Sequence, residues 1–124
     1  MKFFFDENVP EMVVRSLAQL KLPVTYLTDH LKRGTADEVI YPWLSSRGWF
    51  LVTHDQKMAR KKVQREAMRQ AGIGAFILVS TAAAEPREMT RIILTKWQDI
   101  ENKAASTRPP FILRVPDRGK IRPF

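Results

Sequence analysis

Met1-Lys2-Phe3-Phe4-Phe5-Asp6-Glu7-Asn8-Val9-Pro10 opens the chain, and its first six residues decide the fold. Three consecutive Phe, stopped at once by acids, form an apolar run of strand length, and such runs read as strands buried on both faces. Strands of that kind belong to parallel sheets flanked by helices, so a helix should follow. Asn8 can N-cap it with Glu11 three residues on, and Pro10 is tolerated in a first turn. Val13, Leu17 and Leu20 then repeat at helical spacing.

The same alternation continues outward. Val24–Leu27 is β-branched and aromatic, a second strand. Gly34 opens a turn, and Thr35-x-x-Glu38 is a capping-box pattern before a helix with Val39, Ile40, Trp43 and Leu44 on one face. Pro42 should kink or shorten that helix. Trp49–Thr53 is a third strand, and Gln56–Ala71 reads as one helix with Ala59, Val63 and Ala67 inward. Ala75–Ser80 is a fourth strand; Pro86 then starts a helix in which Met89, Ile92, Ile93, Trp97 and Ile100 keep a 3.6-residue period. Phe111–Val115 is a fifth strand, and 116–124 reads as an extended basic tail. The order β-α-β-α-β-α-β-α-β specifies a three-layer α/β/α fold with a mainly parallel sheet of about five strands over residues 1–115.

Composition narrows the functional classes. The 124 residues suit one domain, and a chain of this size buries about two-thirds of its unfolded surface without needing a disulfide or structural metal. Cysteine is absent, which excludes disulfide scaffolds, zinc-thiolate sites and cysteine nucleophiles. No apolar run approaches the ~20 residues of a membrane helix, and the first ten residues do not resemble a signal peptide, so the expected compartment is the cytoplasm. Lys and Arg number 21 against 13 Asp and Glu, a net charge of +8. The excess is local. Residues 56–72 hold six basic side chains and one acid, 108–124 hold five and one, and 1–55 are slightly acidic. Two basic segments suit an anionic partner such as nucleic acid; a solvated basic face is the alternative.

In doubly wound sheets the reactive crevice lies beyond the carboxyl ends of the strands. Asp6, Glu7 and Asn8 follow the first strand, and Thr53, His54 and Asp55 follow the third. Asp37 and Glu38 occupy a helix first turn over the same edge. Gathered carboxylates repel and raise one another's pKa, and a divalent cation is the usual remedy. Oxygen-only donors favour Mg²⁺ or Mn²⁺, and a basic surface beside such a site is the layout of metal-assisted phosphodiester hydrolysis. Structural alternatives stand beside these roles: Asn8 and Asp55 as helix caps, Asp37 and Glu38 as acids favoured by the helix dipole. His30 and His54 are isolated histidines, and the Trp and Met residues at helical spacing read as core. Lys57, Lys61, Arg65 and Arg69 stand one turn apart along the basic helix, with Arg60 and Lys62 beside them, a line suited to a phosphate backbone.

M-K-F-F-F-D-E-N-V-P, G-T-A-D-E-V-I and L-V-T-H-D, in this order over about residues 1–80, resemble the PIN-like nuclease domains, and more closely the short D-E-N-x-P type that includes VapC-like toxins of toxin–antitoxin pairs. The resemblance implies an Mg²⁺- or Mn²⁺-dependent ribonuclease acting on RNA such as tRNA or mRNA, with a cognate antitoxin and a homodimer as further expected partners. Asp6, Asp37 and Asp55 match the family's acidic metal-binding positions; Asn8 and Thr53 match supporting positions, and Glu7 or Glu38 are available to complete the site. Lys57 departs from the pattern, standing where relatives carry a second Asp. That departure keeps a catalytically impaired RNA-binding or antitoxin-docking module in view. A receiver-like phosphoacceptor domain, with Asp55 as acceptor and Lys120 as the late lysine, is a further alternative.

Overall fold

A computed structural model describes the backbone of all 124 residues and every side chain except those of Met58 and Ala59. Strands β1 (Phe3–Phe5), β2 (Val24–Tyr26), β3 (Phe50–Thr53), β4 (Gly74–Leu78) and β5 (Phe111–Val115) run parallel. A sixth, β6 (Arg122–Pro123), pairs antiparallel with β5, and the order across the sheet is β2-β1-β3-β4-β5-β6. Helices α1 (Glu11–Gln19) and α5 (Pro86–Ser106) cover one face with Phe3 and Phe5; α2 (Asp37–Arg47) and α4 (Lys62–Ala71) cover the other with Phe4. The short α3 (Gln56–Arg60) leads into α4. The α/β class with a mainly parallel sheet is the one the alternation specified. The Phe run is the core of it: Phe3, Phe4 and Phe5 are each fully buried, and Phe3 stacks on Phe50 at 5.3 Å and meets Trp97 edge-on at 4.8 Å.

Several local expectations fail for identifiable reasons. Asn8 does not cap α1. The Asp6 carboxylate accepts the Asn8 backbone N–H at 3.1 Å and folds residues 6–9 into a turn, so Pro10 takes the cap position. Leu20 lies past the helix at its cap, where the chain reverses through Lys21 at φ 66°, and is exposed. The Thr35 hydroxyl donates back to the Lys32 carbonyl rather than capping α2, whose cap is Ala36. Pro42 does not shorten α2, which runs on to the left-handed Gly48. Pro42 faces solvent, where a carbonyl deprived of its partner can bond water, while Tyr41 and Leu44 on either side are buried.

The expected single helix over 56–71 is two. Lys61 adopts φ −83°, ψ 124° and breaks it. The break re-phases the chain: Met68 is buried, with Ala67 and Ala71 packed beside the same core, while Val63 is left 78% exposed. It also interrupts Arg60-Lys61-Lys62, three adjacent cations. Arg65 Nη1 donates to the Arg60 carbonyl at 2.9 Å and closes the end of α3. At the other terminus, residues 116–124 are extended but docked on the fold. Ile121 is buried, Lys96 donates to the Gly119 carbonyl, Arg91 pairs with Asp117 at 3.1 Å, and Phe124 N–H donates to the Ile112 carbonyl at 3.0 Å.

Candidate functional site

The strand order reverses between β1 and β3: from β1 the chain goes out to β2, then crosses back to β3 and onward to β4 and β5. Connections therefore leave β1 and β3 on opposite faces, which makes their carboxyl ends the switch point at which folds of this kind place their crevice. Asp6 is the first residue past β1, and Asp55 lies two past Thr53, the last of β3.

Asp6 is buried, and its pKa rises from 3.8 to about 7. Burial is the largest cause; hydrogen bonding from the Thr53 hydroxyl and the Asn8 N–H opposes it, and the charges of Asp37 and Asp55 add to it. Thr53 is wholly buried, and its Oγ1 also accepts the Asp55 backbone N–H at 3.1 Å. One hydroxyl thus ties the ends of β1 and β3 together. Asp37, half-buried at the start of α2, is also raised, by burial first and then by Glu38 and Asp55. The three acids named from the sequence therefore lie within one another's electrostatic reach.

The supporting residues divide. Asn8 serves through its backbone N–H, its side chain being exposed. Glu7 accepts the Gly34 N–H at 2.6 Å, fastening the loop that delivers Asp37. Glu38 is exposed and lines a hollow between α2 and α4 with Tyr41, Ser45, Ala67 and Gln70. His54 Nε2 lies 3.2 Å from the Ser80 carbonyl, and Gln56 Nε2 donates to the Val79 carbonyl at 3.0 Å, so both strap the start of α3 to the end of β4. His30 is tied to Thr25 Oγ1 at 2.7 Å and packs on Trp43 and Trp49. Of the basic line, Lys57, Arg60 and Lys61 are exposed at the crevice end; Arg65 closes α3, and Arg69 pairs with Glu66 at 3.0 Å. The helix break means that this line spans two helices.

Tyr41 is the residue that sequence reading missed. Its side chain is buried, its hydroxyl lies 3.4 Å from Gln64 Oε1, and its pKa is raised by burial and then by Asp37, Asp6, Asp55 and Glu38. The available signal was spacing: Tyr41 is four residues after Asp37 and so shares its face of α2.

Among the described residues, no three His, Asp or Glu side chains close tightly enough to ligate one ion as placed. The donor chemistry still fits Mg²⁺ or Mn²⁺, which are commonly held by one or two carboxylates, waters and a substrate phosphate. Asp6 supplies the observation: a carboxyl pushed up chiefly by burial, and further by the charges of Asp37 and Asp55, is one whose ionised form a cation would stabilise.

An α/β domain with acids at a topological switch point defines the class. A family model described as "PIN like domain" matches residues 1–80, and the chain belongs to that family, whose members are generally nucleases. No curated protein and no solved structure matches the chain. Among the described residues no helix is long and apolar enough to cross a membrane.

Proposed function

We propose that the chain is a metal-dependent endoribonuclease that hydrolyses RNA phosphodiester bonds with Mg²⁺ or Mn²⁺ at Asp6, Asp37 and Asp55, and that it acts as the toxin of a toxin–antitoxin pair. The observation that carries the reading is Asp6, a buried carboxyl near pKa 7 in a crevice that also gathers Asp37 and Asp55. Such a group costs free energy when ionised until a cation compensates it. A divalent cation held there supplies a lowered water pKa and offsets the charge that develops on the phosphate. The chain's own residues do the rest. Thr53 holds Asp6 and the Asp55 backbone in fixed relation, Glu7 secures the loop before Asp37, and burial of Asp6 keeps bulk water from screening the site. Lys57, Arg60 and Lys61 hold the RNA backbone beside the crevice.

The test is cleavage of RNA, including tRNA and mRNA, by purified protein with Mn²⁺. The expected result is cleavage abolished by EDTA and in Asp6→Asn; undiminished cleavage by that variant overturns the reading. For the toxin role, expression should arrest growth, an antitoxin should relieve the arrest, and Asp6→Asn should be harmless.

One observation favours a non-catalytic RNA-binding or antitoxin-docking module: exposed Lys57 stands where relatives carry a second acid. A rise of several degrees in Tm with Mn²⁺, lost in Asp6→Asn, would count strongly against it. The receiver alternative has less support, because Lys120 lines a hollow with Asp99, Asn102 and Ser106 of α5 rather than reaching Asp55.

A further inference from the structure

At the outer edge of the sheet, on the face covered by α4, lies a separate hollow of about 600 Å³. Arg65 and Arg69 of α4 form one wall, and Pro110, Ile112 and Phe124 form another. Arg114 and Arg122 are directly opposed in the β5–β6 register, which puts both side chains on one face of the ribbon. The Arg114 guanidinium stacks 4.9 Å from the centre of the Phe124 ring. Like charges directly opposite one another destabilise a strand pair, and two more arginines stand across the hollow on α4. Glu66, exposed, pairs with Arg69 at 3.0 Å at the surface, where such pairs contribute little. A half-buried aromatic ring with Arg114 stacked on it, in a hollow that Arg65 and Arg69 also line, matches the chemistry of a nucleotide: a flat base to stack and a phosphate to hold.

The hollow is also connected to the acidic crevice. α4 runs from the carboxyl ends of the strands back toward the amino end of β4, and its ten residues span about 15 Å. Lys57, Arg60 and Lys61 stand at the crevice end of that path, and Arg65 and Arg69 lie along it. We propose that the hollow bounded by Arg65, Arg69 and Phe124 is an anchoring subsite for single-stranded RNA, where Phe124 stacks one base and the arginines grip the adjoining phosphates, several nucleotides from the crevice. This rests on the ribonuclease reading for the identity of the strand, but not on catalysis.

The test is therefore run in EDTA, where nothing is cut, with a fluorescein-labelled oligouridylate of ten nucleotides and fluorescence anisotropy. Phe124→Ala should weaken binding roughly ten-fold with the salt slope unchanged, as expected for a lost stacking platform. Arg69→Ala, which removes a cation lining the hollow, should instead lower the slope of log K against log salt by about 1, as expected for a lost phosphate contact. Melting curves of both variants establish that they are folded, and photo-crosslinking of the oligomer to the wild-type chain should label Phe124 or its neighbours. Wild-type affinity in folded Phe124→Ala overturns the subsite, as does crosslinking confined to residues outside the hollow. If Phe124→Ala does not fold, the crosslink position alone decides. A chain that cleaves with Mn²⁺ but loses nothing in Phe124→Ala keeps its nuclease reading and loses the subsite; the reverse pattern separates the two in the other direction.

Discussion

Asp6 carries a measurable consequence in its ionisation. In the unfolded chain its carboxyl titrates near 3.8, and in the fold near 7. Below 3.8 both states hold the proton and folding is unaffected. Between 3.8 and 7 the folded state holds a proton that the unfolded state has released, so stability falls as pH rises, and above 7 the full penalty of a buried carboxylate is present. Asp29 acts in the opposite sense and in a lower window: its carboxyl, held down to about 2 by Arg15, loses its stabilising effect only as pH falls below about 4. Asp6→Asn keeps an acceptor for the Asn8 N–H and removes the charge. Without metal it should be more stable than wild type by about 2–4 kcal/mol at pH 8 and little different at pH 4. Melting curves across that range in EDTA check this, and a difference that does not grow with pH would contradict it. Mn²⁺ should close the gap by stabilising wild type alone. Asp6 and Asp55 were legible because acids just past strand ends follow from the alternation, whereas Asp37 was singled out by its place in a helix first turn and by the family resemblance. Tyr41 was not, since a tyrosine among apolar helix residues looks like core until the fold shows which charges surround it.

Elements were readable where one requirement dominated and misread where two competed. The 3.6-residue repeat of α5 has no rival, and every residue the spacing names is buried, with Lys96 and Ala104 buried beside them. Over residues 56–71, helical propensity competed with the burial of Met68 and with three consecutive cations, and tertiary packing placed a break at Lys61 that no Gly or Pro announces. The caps at Asn8 and Thr35 failed similarly, each to a nearer backbone or carboxylate partner. Gly74 shows an element-scale constraint that the sequence presents only as punctuation. It opens β4 between β3 and β5, and a Cβ there would lie 2.9 Å from the Phe50 ring and overlap that of Phe111. Those rings pack on each other at 5.9 Å and on Phe76, so neither can yield alone. Gly74→Ala should cost about 1–3 kcal/mol by overpacking, read as a lower urea midpoint at unchanged m-value. A neutral result would mean that the aromatic layer repacks freely.

At the scale of the molecule, alternation of strands and helices gave the layered class, but the strand order and the sixth strand came only from the structure. Two residues with a proline carry no periodic signal, so β6 reads as tail. Its contribution lies in tertiary contacts: Ile121 enters the core shared by α1 and α5, while Phe124 joins the other face, so residues 116–124 wrap the outer edge of the sheet and contact both layers. They also cover an edge, β5, that would otherwise expose unpaired backbone groups. If this wrapping is integral to the fold, Ile121→Ala should destabilise by about 2–4 kcal/mol through a core cavity. Arg118→Ala, exposed three residues earlier, should change stability by less than about 0.5 kcal/mol. Urea unfolding of the two variants separates the possibilities, because a passive tail gives two equal and negligible effects. A large loss confined to Ile121→Ala makes β6 part of the cooperative unit. The basic charge near the end of the chain is then fixed in position on the sheet edge, as an RNA-anchoring surface formed with α4 requires.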